Sequence, residues 1–139
     1  MGELMTVLEI TVPLPPHELA PNARVYRMRK AAIIAEYRDH VTILTRNACA
    51  EQKWTPPARA RISMHWAVLV PKRKRGQPTD GLYRPFDWDN AVAAFKAGQD
   101  GLVRGGALAG DGRDQLEGGA VTFDPKAGPY VRVRIKAIV

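Results

Sequence analysis

The chain reads as a single α+β domain over residues 1–139, a small mixed sheet of about four strands packed by two main helices. Three observations predict this. Stretches of alternating polar and apolar residues occur near both ends and in the middle of the chain. Two segments carry apolar residues at three- and four-residue steps instead. Length and composition are those of one ordinary globular domain, 139 residues with 45% apolar and 25% charged, enough to bury a core without cross-links.

The first strand spans Leu4 to Val12, with Leu8, Ile10 and Val12 on one face and Glu9 and Thr11 on the other. Its start, Met1 to Met5, alternates with polar residues and so reads as strand rather than leader. Pro13, Pro15 and Pro16 end it, because proline donates nothing to a ladder. His17 to Arg29 follows as a loop.

A long helix is expected from about Met28 to Gln52, with Ile34, Tyr37, Val41, Leu44 and Ala48 forming one stripe. Two heptads are too few for a coiled coil, so the stripe is expected to pack on the sheet. Pro56-Pro57 closes the element, with Trp54 plugging its end. Arg61 to Val70 is the next strand, directing Ile62, Met64, Trp66, Val68 and Val70 inward and His65 outward.

Pro71 to Arg84 is strongly basic, Lys72-Arg73-Lys74-Arg75 above all. It reads equally as a solvated mobile loop and as an arm that wraps phosphates. A second helix is expected from about Asp89 to Val103, ending at Gly105-Gly106. A turn-rich loop, Gly110 to Asp114, leads to a short strand, Ala120 to Asp124. After a turn over Pro125 to Pro129, Tyr130 to Val139 forms the last strand. There Arg132, Arg134 and Lys136 share one face, about 6.6 Å apart, a spacing near that of successive phosphates; a simple solvated face explains the stripe equally well.

Charge bears on function. The net charge is +7, from 21 Lys and Arg against 14 Asp and Glu, which favours polyanions because each neutralised phosphate releases counterions. No apolar run is long enough for a membrane span. The single cysteine, Cys49, has no internal partner, and no Cys/His cluster has zinc spacing. A reduced, cytoplasmic setting is expected.

The densest chemistry lies in Phe86-Asp87-Trp88-Asp89-Asn90, then Lys96 and Asp111. Hard divalent cations take oxygen ligands, and carboxylates commonly hold them against a phosphate. Pro85 should keep the entry extended, so Asp87 and Asp89 would face the same way, with Asp89 also placed to cap the helix. On an ideal helix Lys96 and Asp100 each return to within about 20° of Asp89. A helix cap surrounded by solvated charges, with Lys96 and Asp100 as a weak surface pair, accounts for the same residues without chemistry.

With these residues in view, the chain resembles the RusA-like family of Holliday junction resolvases, common in phages and prophages. The resemblance spans most of the chain, including Pro15-Pro16 and Pro21-Asn22-Ala23-Arg24-Val25-Tyr26. It is sharpest from Asp87-Trp88-Asp89-Asn90-Ala91-Val92 through Asp100-Gly101-Leu102 to Asp111. It implies a homodimer that cuts four-way DNA junctions, or other branched DNA, in bacterial or phage-infected cytoplasm. It also implies Mg²⁺, replaceable by Mn²⁺, held by Asp87, Asp89 and Asp111, with Lys96 stabilising negative charge and 5′-phosphate and 3′-hydroxyl ends at the nick. Arg24, Arg27, Lys72, Arg73, Lys74 and Arg75 are the expected backbone contacts. Two departures stand out. The family's helical lysine falls at Ala93, three residues before Lys96, and Gly110 replaces a usual Asp, leaving Asp114 as a reserve ligand. The rival expectations are a non-catalytic phage DNA-binding or architectural protein, and a nuclease for flaps or forks.

Overall fold

The computed structural model describes residues 6–21, 23–68 and 88–138. The predicted strand residues Leu4, Val70 and Val139, the basic run Lys72 to Arg75, and Asp87 lie outside the described residues.

Among the described residues seven main elements follow one another: β1 (Val7–Val12), α1 (Arg27–Glu51), β2 (Ala60–Ala67), α2 (Trp88–Ala94), α3 (Lys96–Arg104), β3 (Leu116–Asp124) and β4 (Tyr130–Ala137). A 3₁₀ turn over His17–Leu19 precedes α1. The strands form one mixed sheet in the order β1-β4-β2-β3, antiparallel except for β2 beside β3. A parallel pair requires a long crossover, and here that connection carries α2 and α3. The α+β class with a four-stranded mixed sheet is as predicted, with three helices rather than two.

Alternation in the strands becomes two faces. Leu8, Ile10, Val12, Ile62, Met64, Trp66, Val131, Val133 and Ile135 are buried beneath the helices, while Glu9, Thr11, Arg132, Arg134 and Lys136 remain exposed. The outer edge of β1 is closed by a side chain. Gln52 Nε2 donates to the Glu9 carbonyl at 2.8 Å, and Gln52 Oε1 accepts from the Glu9 amide at 3.2 Å. This primary amide substitutes for a neighbouring strand at one residue, which blunts an edge otherwise open to pairing.

Four expectations are corrected. The second predicted helix is two helices, α2 and α3, separated at Phe95 (φ −89°, ψ 5°). Phe95 is buried, and its ring meets Trp66 of β2 and Tyr37 of α1 edge-on, with both centroid separations 6.4 Å. Gly98 leaves room for that ring, since a Cβ there would lie 2.7 Å from Phe95 Cζ. Apolar periodicity alone continues straight through such a joint.

Second, α1 packs chiefly on α3 and only partly on β1. Tyr37 and Val41 of the predicted stripe are buried, but so are Thr42 and Thr45, whereas Ile34, Leu44 and Ala48 are half-buried. The helices approach closely because Gly101 and Gly105 face α1. A Cβ on Gly101 would stand 2.8 Å from the Arg38 carbonyl oxygen, and one on Gly105 would stand 2.5 Å from Thr45 Cβ.

Third, the prolines do not end α1. Lys53 does, adopting φ +52°. The Trp54 amide donates to the Cys49 carbonyl at 2.9 Å and the Lys53 amide to that of Ala50 at 3.4 Å, the paired bonds of a Schellman ending. Trp54 is buried as expected, its indole N–H donating to the Ala107 carbonyl at 2.9 Å. α3 ends in the same way at Gly106 (φ +92°).

Fourth, β3 starts at Leu116, not Ala120. Gly118 and Gly119 lie within it where the register against β2 shifts between Ile62 and Met64. A Cβ on Gly119 would approach the Ile62 carbonyl oxygen to 2.8 Å, so this irregular stretch accommodates glycine where an ordinary strand would disfavour it.

Candidate functional site

The crossover between β2 and β3 positions the chemistry that the sequence singled out. Trp88 begins α2 and its ring lies over Gly118 of β3, at 4.0 Å from where a Cβ would be. Asp89 therefore sits in the first turn of α2, exposed, and not at the cap. The strand-like argument that aimed Asp87 and Asp89 the same way does not apply once Asp89 is helical. An acidic residue in this turn still complements the helix dipole.

Lys96 is the first residue of α3. The joint at Phe95 separates it from the helical register of Asp89, so the ideal-helix angle between them does not hold. Its ammonium instead gathers two other carboxylates. Lys96 Nζ lies 2.7 Å from Asp111 Oδ2 and 3.3 Å from Asp100 Oδ1. Asp100 is one helical turn on, so the i,i+4 pair forms as expected. Asp111 arrives from the loop after α3, fifteen residues away in sequence.

Electrostatics follow from these contacts. The hydrogen bond and charge of Lys96 hold the Asp111 carboxyl below its usual 3.8, with Gln99 adding a weaker hydrogen bond. The Asp111 hydrogen bond, reinforced by Asp100, holds the Lys96 ammonium above its usual 10.5 despite some desolvation. Both groups are thus charged at neutral pH. Gln99 was not singled out by sequence; its only signal is the three-residue step from Lys96, which places it on a neighbouring part of the same helical surface.

Other predicted residues are distributed more widely. Asp114 is exposed, in the turn closed by the Gln115 amide donating to the Gly112 carbonyl at 2.9 Å. Asp89 and Asp114 make no ion pair among the described residues. Arg24 and Arg27 are exposed at the start of α1. That helix start carries Arg27, Arg29 and Lys30, no acidic residue in its first turn and no side-chain cap, so the positive end of the helix dipole is reinforced by cations. His65 faces outward, its Nδ1 2.7 Å from Thr122 Oγ1. Cys49 is half-buried, and burial pushes its thiol up, away from the reactive thiolate.

The donors near Lys96 are carboxylate oxygens, the chemistry that hard divalent cations select. Among the described residues no three His, Cys, Asp or Glu side chains form a group able to hold a metal ion; Asp87, the remaining expected ligand, lies outside them. Asp111 supplies the oxygen donor type such an ion takes, while its carboxylate and that of Asp100 converge on the Lys96 ammonium.

The described residues thus define an α+β protein with an acidic and basic cluster exposed on its β2–β3 crossover. No protein-family model matches the chain. An uncharacterized protein of Xylella fastidiosa (strain Temecula1) is 29% identical to it over 106 residues, or 74% of this chain. The matched region covers 60% of that relative's length. No helix among the described residues is long and apolar enough to cross a membrane.

Proposed function

We propose that this protein is a divalent-cation-dependent endonuclease that hydrolyses phosphodiester bonds in branched DNA, in the manner of the RusA-like resolvases it resembles. The observation that carries this reading is the Lys96 ammonium held between Asp100 and Asp111 at the protein surface. It brings a fixed positive charge beside exposed carboxylates on a chain of net charge +7.

In this reading Asp87, Asp89 and Asp111 hold Mg²⁺, or Mn²⁺ in its place. When bound, the cation would supply charge neutralisation at the scissile phosphate and lower the pKa of a bound water. Lys96 remains charged and stabilises negative charge developing on a phosphate oxygen, an effect typically worth about 3–4 kcal/mol in such sites. Asp100 and Gln99 orient Lys96 and Asp111. Arg24 and Arg27, beside the cationic start of α1, contact the DNA backbone together with Lys72, Arg73, Lys74 and Arg75. A homodimer would present two such sites to a four-way junction of matching symmetry. The lone, partly shielded Cys49 accords with a reducing cytoplasm.

The test is a panel of end-labelled substrates (four-way junction, flap, fork and plain duplex) incubated with protein and Mg²⁺. Nicking of branched DNA by the unaltered protein, lost in Asp89→Asn with binding kept, supports the proposal. Tight junction binding with no nicking across Mg²⁺ and Mn²⁺ titrations makes it a DNA-binding protein without catalysis. Preferential cutting of flaps or forks reassigns the substrate.

A further inference from the structure

The face of the sheet turned away from the helices carries charge that the proposed site does not use. Its side chains form cross-strand rows. Thr11, Arg132, His65 and Thr122 make one row, Glu9, Arg134 and Ser63 the next, and Lys136, Arg61 and Glu117 the third. Within these three rows four cations, Arg61, Arg132, Arg134 and Lys136, stand beside two carboxylates, Glu9 and Glu117, and Asp124 follows Thr122 on the same face of β3.

Each of Glu9 and Glu117 has an arginine beside it. Arg61 Nη2 is 3.1 Å from Glu117 Oε2, and Arg134 Nε is 3.9 Å from Glu9 Oε1. Arg132 and Lys136 make no ion pair among the described residues. The Arg132 row contains no acidic residue. It offers a guanidinium steadied over the Tyr130 ring, 5.6 Å from its centroid, with hydroxyls and an imidazole beside it. A shallow depression of about 230 Å³ runs between the first two rows, lined in part by Glu9, Ser63, His65, Thr122, Arg132 and Arg134.

We propose that this open sheet face is a second DNA-binding surface, which grips the phosphate backbone of a duplex arm. The choice of DNA rests on the nuclease reading; the anionic character of the occupant rests on the charge of the face. Cations on alternate residues of β4 are about 6.6 Å apart along the strand, which lets successive side chains reach successive phosphates. Single-strand binders present aromatic platforms on which bases stack. No exposed Phe, Tyr or Trp lies in these three rows, and Tyr130 beside them is half-buried beneath Arg132 rather than open as a platform for bases, which favours a duplex held through its backbone. Recognition here would carry no base sequence.

The deciding experiment uses the full chain with Arg132→Gln and Lys136→Gln combined, titrated with a fluorescent duplex of about 30 base pairs across about 50–200 mM salt. The expected result is weaker binding with a salt dependence shallower by about two units of log–log slope, since each lost phosphate contact removes about 0.9. The charge-keeping pair Arg132→Lys and Lys136→Arg should retain the slope of the unaltered protein, which separates charge from folding. An unchanged slope in the glutamine variant overturns the proposal. So does stronger, Arg132-dependent binding to single-stranded DNA, or to vesicles of 30% phosphatidylserine in phosphatidylcholine with none to duplex. Junction nicking by the unaltered protein, measured in parallel, fails or succeeds separately and reports on the nuclease reading.

Discussion

Lys96 Nζ and Asp111 Oδ2 stand 2.7 Å apart, tying the first turn of α3 to the loop that feeds β3. The pair holds the proposed electrostatic stabiliser against a proposed cation ligand, so each residue affects how the other is presented. Replacing Lys96 by Met should lower junction nicking about a hundredfold or more. Cation affinity, read by Tb³⁺ luminescence, should be kept or increased because Asp111 is released. Full nicking activity in this variant would remove Lys96 from the mechanism.

The same pair sets a pH expectation. Asp111 has its folded-state value lowered, so its contribution to stability is present above the ordinary carboxyl range and disappears as pH falls through the lowered value. Lys96 has its value raised; its contribution is present below 10.5 and is lost as pH rises through the raised value. Both ends of the pair therefore stay ionised throughout the neutral range. Any change of nicking rate with pH near neutrality should come from other groups. Carboxyl and lysine NMR titrations will check this: a titration of Asp111 or Lys96 near neutrality contradicts it. Because both side chains are partly exposed, the pair should contribute less than about 1 kcal/mol to stability.

Gly101 and Gly105 permit the close approach of α3 to α1. Gly101→Ala would drive a methyl toward the Arg38 carbonyl oxygen and Val41 Cβ, within 2.8 and 2.9 Å. Neither neighbour is the free end of a side chain, so relief requires the helices to separate. A loss of about 1–3 kcal/mol in urea unfolding is expected, with a similar loss for Gly105→Ala. Stability equal to that of the unaltered protein would show that the helices are not so tightly apposed.

Lys53 occupies the left-handed region at the end of α1, where a side chain is disfavoured. Lys53→Gly should raise stability by about 0.5–1 kcal/mol, the relief of strain exceeding the added freedom of the unfolded chain. Thermal melting at equal concentrations provides the measurement. A lower midpoint would mean that the lysine side chain contributes contacts of its own.

Gly110 precedes Asp111 where the resembled family carries a second acid. The atoms nearest to a Cβ there belong to the terminal amide of Gln115, a flexible group that can move aside. Gly110→Asp should therefore fold normally and bind Mg²⁺ more tightly, as followed by calorimetry. Unaltered affinity would place residue 110 outside the proposed cation site.

Much of this molecule is legible in its sequence because the signals are local. Period-two alternation marks Val7–Val12, Ala60–Ala67 and Tyr130–Ala137, and hydrophobic burial selects one face of each strand. Lys96 and Asp100 are neighbours by helical geometry alone. Tertiary structure decided the remainder. Whether the chain bends at Phe95 depends on Trp66 and Tyr37, distant residues that claim its ring. Gly101 and Gly105 signify close packing only when Arg38 and Thr45 lie opposite, and Asp111 meets Lys96 only because the loop folds back along α3. Local preference is encoded residue by residue, whereas a packing or ion-pair partner exists only after the elements have been brought together in space.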